Sequence, residues 1–123
     1  MPVKSFHDLT VWRKSLELVE QIYAITRQLP VDERFGLTSQ LQRAAVSIPS
    51  NIAEGSKRTS RADFRQFCKI SLGSAAEVET QLIIVNRIYT NIPVRDAVEL
   101  TIQIQKMLTA LEKQLAKKLQ TTN

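Results

Sequence analysis

The segment SIPSNIAEGSKRTS, residues 47–60, separates two helical patterns and decides how the chain is divided. The pattern before it places apolar residues at helical spacing on one face: Leu37, Leu41, Ala44, Ala45, Ile48 and Ile52. Gly55 is typical of a helix C-terminal cap, because glycine tolerates a left-handed backbone. Thr59 or Ser60 can cap the next helix, where the helix dipole favours Asp63 in the first turn. The segment therefore predicts a helix, a short joint and a second helix.

Pro49 lies inside the first of these helices. A proline there lacks an N–H and crowds the carbonyl four residues earlier, which costs about 3 kcal/mol in an isolated helix. We expect the helix to continue through Pro49 with a kink, and Asn51 and Glu54 to hydrogen-bond to neighbouring helices or backbone rather than to a ligand. Gly73, in the middle of the third helix, predicts a close approach of another backbone, because glycine otherwise weakens a helix.

The same reading extends over the whole chain. A first helical pattern runs from about residue 8 to 28, and joints follow at Pro30–Gly36 and at residues 91–94. The third helix has an apolar stripe from Phe64 to Tyr89, and the fourth has one from Ala97 to Leu115. No stretch alternates with the period of a strand. We therefore predict an all-α, antiparallel up-down four-helix bundle, formed by residues 1–123 as a single domain.

The first helix carries two apolar stripes, more than one bundle face requires. One stripe, assigned to the core, consists of Leu9, Trp12, Leu16, Val19, Tyr23 and Thr26. The other consists of Val11, Leu18, Ile22, Ile25 and Leu29. A lone bundle would leave one stripe in water, so we predict a closed homo-oligomer with Val11, Leu18 and Ile22 at its interface.

The chain is basic, with a formal net charge of +5 from 17 Lys and Arg against 12 Asp and Glu, which favours an anionic partner. Basic residues concentrate in two places: Lys57, Arg58, Arg61, Arg65 and Lys69 around the second joint, and Lys106, Lys113 and Lys117 on the fourth helix. Two interpretations stay open from charge alone. These positions are either solvated faces that keep the protein soluble, or a surface that binds phosphates.

Residues typical of catalysis or metal binding are scarce. The single histidine, His7, excludes a two-histidine metal helix, and the single cysteine, Cys68, has no second cysteine for zinc or redox chemistry. A pair of Cys68 with His7 is not expected, and we predict no enzyme activity, cofactor or metal. No apolar run approaches the length of a membrane span, and the N-terminus lacks a secretory signal. We therefore expect a cytoplasmic protein with no membrane partner.

Three segments carry a resemblance to a known family: FHDLTVW at 6–12, GLTSQLQRAAVSIPSNIAEGS at 36–56, and DFRQFCKISLGSAAEVETQL at 63–82. They resemble the 23S ribosomal RNA intervening-sequence protein family, also called the bacterial four-helix-bundle protein family. Gln42 departs from the family, in which a second arginine often precedes Arg43. Within these segments we assign structural roles to Arg43, Pro49, Asn51, Glu54, Gly55 and Gly73.

The resemblance implies a four-helix bundle assembled into a homopentamer, and it implies no enzymatic activity. Members were first noticed as reading frames inserted in ribosomal RNA genes. A distant relative is the accessory protein of diversity-generating retroelements, a basic pentamer that works beside a reverse transcriptase and its RNA.

These observations predict a non-enzymatic, oligomeric helical bundle that binds RNA or DNA through its basic faces. Binding should be mostly electrostatic, because the sequence shows no row of aromatic residues among the arginines. The alternative is a scaffold or accessory subunit whose partner is another protein, encoded nearby. A third interpretation, an enzyme, lacks a catalytic motif.

Overall fold

The computed structural model describes residues 5–121, and side chains are described for residues 5–117. The described chain forms α1 (Thr10–Thr26), α2 (Leu37–Ser56), α3 (Arg61–Ile88) and α4 (Arg95–Thr121), with short 3-10 helices at Phe6–Asp8 and Val31–Glu33. Between residues 5 and 121 no strand is present. Each helix packs on the next along the chain, and α1 also packs on α4. Short joints make consecutive helices antiparallel, so the predicted four-helix bundle is confirmed.

Local capping explains where α3 begins. Ser60 is its N-cap residue, and its Oγ accepts a hydrogen bond from the Asp63 N–H at 3.0 Å. Asp63 lies in the first turn, where its negative charge faces the unpaired N–H groups of the helix. The predicted cap is therefore confirmed, with Ser60 rather than Thr59 in the capping position.

The stripe of α1 that was predicted to form an interface is buried in the core, and the stripe assigned to the core is buried only in part. Val11, Leu18 and Ile22 are 5%, 0% and 0% exposed and belong to the main hydrophobic core. Leu16 and Tyr23, from the stripe assigned to the core, are 40% and 37% exposed. Placing an oligomer interface on Val11, Leu18 and Ile22 was therefore wrong, because side chains buried within one chain cannot contact another.

Gly55 has a different role from the predicted left-handed cap. It lies inside α2, and no glycine between residues 5 and 121 has a positive φ. A Cβ at Gly55 would lie 2.6 Å from the Phe67 Cβ and 3.0 Å from the Phe64 Cδ1. Gly55 is therefore required for the close approach of α2 and α3, and the capping prediction was wrong.

Gly73 also differs from its prediction. It is exposed, and a Cβ there would meet nothing within 4 Å. The close contact between α2 and α3 is made by its neighbours. The buried Ser71 Oγ donates to the Ile48 carbonyl at 3.0 Å, and the Ser74 and Ser47 hydroxyls hydrogen-bond at 2.9 Å. The small residues of α3 therefore pack on α2 as expected, but Gly73 does not.

The α2 helix continues through the buried Pro49, as predicted, and the kink itself stays a prediction. Asn51 donates to the Ser47 carbonyl at 2.8 Å and to the Ser47 hydroxyl at 2.9 Å, which confirms its predicted backbone partner. Because Ser47 also bonds to Ser74, Asn51 is linked indirectly to α3. Glu54 instead accepts from the Arg58 guanidinium at 2.6 Å. Its partner is a side chain of the joint, so that prediction was wrong.

Candidate nucleic-acid interface

The antiparallel topology brings basic residues from two parts of the chain to one end of the bundle. We call this surface the basic end: Lys57, Arg58, Arg61, Arg65, Lys69, Lys113 and Lys117. The joint between α2 and α3 and the first turns of α3 supply five of these residues, and the later part of α4 supplies the other two. Within the described side chains Arg61 and Arg65 are half-buried and the others are exposed.

Glu112 of α4 connects the two parts of the basic end. Its Oε1 accepts from the Arg65 Nε at 2.6 Å and lies 4.0 Å from the Lys69 Nζ. Glu112 is only 15% exposed, whereas Arg65 and Lys69 are 36% and 49% exposed. One carboxylate therefore orients two cations without cancelling their combined charge. This pairing also shows that α4 around residue 112 lies beside the start of α3.

Arg58 is held in place by two contacts. Its guanidinium forms the ion pair with Glu54 and lies 4.9 Å from the centroid of the Phe67 ring. Both members of the ion pair are about half exposed, so water and salt screen the pair and it stabilises the fold little. A phosphate can compete with such an exposed carboxylate for the guanidinium, because Arg binds phosphate oxygens with two parallel hydrogen bonds.

The three α4 lysines predicted to bind nucleic acid do not all belong to the basic end. Lys106, Lys113 and Lys117 are exposed and, by helical spacing, share one face, as predicted. At 1.5 Å per residue, however, Lys106 lies about 10 Å along the axis from Lys113. It lines a shallow groove with Glu79 and Gln105, whose side chains hydrogen-bond at 2.7 Å. Lys106 therefore shares a groove in the middle of the bundle with the Glu79 carboxylate.

Aromatic side chains accompany the basic end, contrary to the expectation from sequence. The Phe6 and His7 rings stack at a centroid distance of 4.2 Å, and each lies 5.1 Å from the Trp12 ring. The Lys57 ammonium is 5.9 Å from the Phe6 ring centroid. We call Phe6, His7 and Trp12 the aromatic cluster. Its residues are close together in sequence, but their proximity to Lys57 depends on how the N-terminal segment packs against α2.

The Cys68 and His7 side chains are not paired. Cys68 is fully buried with Phe64 and Leu115, and burial, with a smaller contribution from the Glu112 charge, raises the pKa of its thiol to about 12. His7 is exposed, and its Nδ1 lies 2.6 Å from the Ser5 Oγ. A thiol with that pKa is protonated at neutral pH and is a poor nucleophile.

Two further findings concern the described residues as a whole. Between residues 5 and 117 no three histidine, cysteine or carboxylate side chains come together in an arrangement that could hold a metal ion. None of the helices between residues 5 and 121 combines the length and the apolar composition that a membrane span requires.

A polar groove of about 270 Å³ lies between α2 and α3, away from the basic end. The exposed Arg43 lines it, together with Glu77 and Ser47. Gln81 also lines it and donates to the Gln40 side chain at 3.3 Å, while its own Oε1 is buried without a hydrogen-bond partner among the described residues. Sequence reasoning assigned Arg43 a structural role and missed Gln81, because one glutamine on a long helix gives no signal.

Comparisons with known proteins agree with this architecture. The family model described as 23S rRNA-intervening sequence protein matches residues 7–113. A crystal structure of a protein of unknown function, from the S23 ribosomal protein family of Bacteroides thetaiotaomicron VPI-5482, has a similar fold, with a TM-score of 0.73 and 30% sequence identity. The match covers 84% of this chain and 95% of the other. A comparison with curated proteins finds no match.

Proposed function

The chain belongs to the 23S rRNA-intervening sequence protein family, and we propose that it is a cytoplasmic, non-enzymatic, oligomeric bundle that binds RNA or DNA through its basic end. One observation carries this proposal. Cations from the α2–α3 joint, the start of α3 and α4, which are distant in sequence, are gathered at one end of the bundle, where Glu112 of α4 pairs with Arg65 and Lys69 of α3. Such a surface suits the closely spaced phosphates of a nucleic acid.

Recognition would be directed at the backbone rather than at a particular sequence. Arg58 and Arg65 are oriented by Glu54 and Glu112, so their guanidinium groups are positioned before a phosphate arrives. Contacts from Lys and Arg to phosphates fix position but carry no sequence information. Each phosphate that is neutralised releases counterions, so affinity should fall steeply as salt rises.

An oligomer would multiply this surface. Exposed apolar side chains lie on the α1–α2 side of the bundle, at Leu16, Tyr23 and Val46, and on the α3–α4 side, at Ile83 and Ile102. Two different apolar sides fit head-to-tail contacts, which close into a ring when the rotation permits. We propose a closed homo-oligomer, with the pentamer that the family resemblance implies. Repeated basic ends would then raise affinity through effective concentration.

The test compares two variants that each remove three positive charges. Arg61→Gln, Arg65→Gln and Lys69→Gln alter the basic end, whereas Arg34→Gln, Arg87→Gln and Arg95→Gln alter the opposite end. Fluorescence anisotropy with labelled RNA and single-stranded DNA should show a loss of affinity on the order of a hundredfold at 50 mM salt for the first variant only. The slope of log affinity against log salt should also become shallower by about 2 to 3.

Light scattering should show the same assembly for both variants and the wild type, with a mass above the 14.0 kDa of one chain. Wild-type protein that fails to bind at low salt, or equal losses in both variants, would contradict the proposal. A 14.0 kDa species at micromolar concentration would contradict the oligomer.

A protein partner is the second candidate, because the opposite end exposes large apolar side chains. Phe35, Val31 and Ile88 are 87%, 71% and 61% exposed. Such side chains are typical anchors of protein interfaces when they cluster. If neither charge variant changed nucleic-acid affinity, a scaffold that binds a protein encoded nearby would become the favoured function.

A further inference from the structure

We propose that the aromatic cluster is a stacking platform for unpaired bases, so that the basic end binds single-stranded nucleic acid in preference to a duplex. This inference rests on the proposed nucleic-acid function and specifies its ligand. Proteins that bind single strands combine cations along the backbone with aromatic rings that stack on bases. The basic end has both components, with Lys57 at 5.9 Å from the Phe6 ring.

The Phe6–His7 pair is not explained by core packing. Trp12 packs against the main core, but neither Phe6 nor His7 belongs to either hydrophobic cluster of the described residues. Phe6 is half-buried and His7 is exposed. The two rings stack with an interplanar angle of 26°, and Trp12 meets both of them edge-on. The stack therefore runs outward from the core and ends at an accessible ring.

The His7 ring is held in place before any ligand arrives. Its Nδ1 lies within hydrogen-bonding distance of the Ser5 Oγ, at 2.6 Å, and the His7 N–H donates to the same oxygen at 3.2 Å. The Arg13 Nη1 donates to the His7 carbonyl at 2.7 Å and ties the segment to α1. A ring that is already ordered loses little conformational entropy on binding, so a larger share of the stacking free energy contributes to affinity.

The surrounding cations fit a strand whose bases reach the aromatic cluster. Lys57 lies beside Phe6, and Arg58 follows it directly and lies over Phe67. Arg13 adds a third cation next to His7. In a single strand the base faces are free to stack on aromatic rings, whereas in a duplex they are already stacked on one another. Cations alone would bind both forms, and the rings favour the single strand.

Trp12 provides a direct readout, because it is the only tryptophan and lies 5.1 Å from both other rings. The full-length protein is titrated at low salt with a uridine oligonucleotide, a thymidine oligonucleotide, a duplex of equal length, and inorganic polyphosphate. We expect both single strands to quench Trp12 fluorescence. Polyphosphate, which binds cations but has no bases, should leave the fluorescence unchanged.

Two substitutions remove rings and leave the charges of the basic end intact. His7→Ala removes the exposed ring, and Phe6→Leu keeps an apolar side chain against Trp12. Each should lower affinity for the single strands by about 5- to 150-fold, the loss typical of one base–aromatic stack. Affinity for the duplex and for polyphosphate should stay the same. Phe35→Ala removes an exposed ring at the opposite end and is the matched control, expected to change nothing.

The outcomes separate this inference from the proposed function. Suppose that His7→Ala and Phe6→Leu bind single strands within twofold of the wild type while the basic-end charge variant loses affinity. The proposal that bases stack on the aromatic cluster is then wrong, and the proposal that the basic end binds nucleic acid is retained. Equal losses for single strands, duplex and polyphosphate would also overturn it, because they would indicate a distorted charge surface. If the wild type binds no nucleic acid, the proposed function fails first. Melting temperatures verify that each variant is folded.

Discussion

The two ends of the bundle offer different side chains to a partner. At the basic end, cations from the α2–α3 joint, α3 and α4 come together, Glu112 pairs with Arg65 and Lys69, and an aromatic cluster lies beside Lys57. At the opposite end, the joint at residues 27–36 exposes Phe35 and Val31, and the last residue of α3 exposes Ile88; we call this surface the apolar end. Both surfaces result from the short joints between helices, because antiparallel helices place successive joints at opposite ends of the bundle.

Several charged side chains of the apolar end contact other groups within the chain. The Tyr89 hydroxyl donates to Glu33 at 2.6 Å, and the second Glu33 oxygen accepts from the Leu37 N–H at 3.2 Å. The Arg34 guanidinium lies 5.7 Å from the Phe35 ring centroid, and Arg95 pairs with Glu99 at 3.3 Å. Basic residues therefore predominate at one end, and the three most exposed large apolar side chains of the described residues lie at the other. The proposed nucleic acid would suit the basic end, and the alternative, a protein partner, would suit the apolar end.

The largest stability effect is expected where α2 and α3 come together just before the basic end. Gly55→Ala places a Cβ 2.6 Å from the Phe67 Cβ, a rigid atom that can yield only if the helices move apart. We expect a loss of about 1–3 kcal/mol in the free energy of unfolding, the usual cost of overpacking. Urea denaturation measures it.

Gly73→Ala is the matched control for that change. The same methyl group enters open space on an exposed helix surface, so it should stabilise α3 by about 0.5–1 kcal/mol through helix propensity. Equal effects of the two substitutions would show that the contact at Gly55 does not govern the packing of α2 on α3.

Glu112→Gln increases the positive charge of the basic end, because it removes the carboxylate that pairs with Arg65 and Lys69. The side chain keeps its size, and both cations become available to phosphates. We expect affinity for single-stranded RNA at 50 mM salt to rise about three- to tenfold, the effect of about one additional phosphate contact. Glu99→Gln, which removes a carboxylate paired with Arg95 at the apolar end, is the control and should leave affinity unchanged.

Asn51→Leu tests the polar link between the two central helices. Asn51 donates to the carbonyl and the hydroxyl of Ser47, and Ser47 hydrogen-bonds to Ser74. Because Asn51 is only half-buried, water can replace part of what is lost, and we expect a cost of about 1 kcal/mol. Ser50→Ala is the exposed comparison on the same helix and should cost less. An unchanged denaturation midpoint for Asn51→Leu would contradict this role.

The smallest expected effect is a pH dependence confined to the apolar end. Hydrogen bonds from the Tyr89 hydroxyl and the Leu37 N–H lower the pKa of Glu33 below 4.5. Its contribution to stability is therefore present above pH 4.5 and is lost as pH falls through the lower, folded-state pKa. The hydrogen bond to Glu33 also raises the pKa of Tyr89, so the Tyr89 contribution is present below pH 10 and is lost as pH rises further.

Tyr89→Phe removes the shared hydrogen bond. The melting temperature of the variant should lie slightly below that of the wild type at pH 7, and the two should converge in acid once Glu33 is protonated. A difference between them that persisted unchanged at pH 2 would show that the hydroxyl acts through packing rather than through Glu33.

Much of the molecule was predictable because its signals are local. Helical periodicity identified four helices, and the side chain of Ser60 and the charge of Asp63 located the start of α3. These features depend on residues three or four positions apart, so both partners of each interaction lie within one short stretch of the sequence. The basic residues near the second joint were visible for the same reason.

Only the tertiary structure decided which surfaces face inward and which residues meet. Both stripes of α1 have helical spacing, and the packing of the other helices selected Leu18 and Ile22 for the core while leaving Leu16 at the surface. Glu112 meets Arg65 across 47 positions. The meeting of Phe6 with Lys57 likewise depends on how α2 and the N-terminal segment pack. Periodicity defines a face but not its neighbour, because the neighbour is set by contacts between segments distant along the chain.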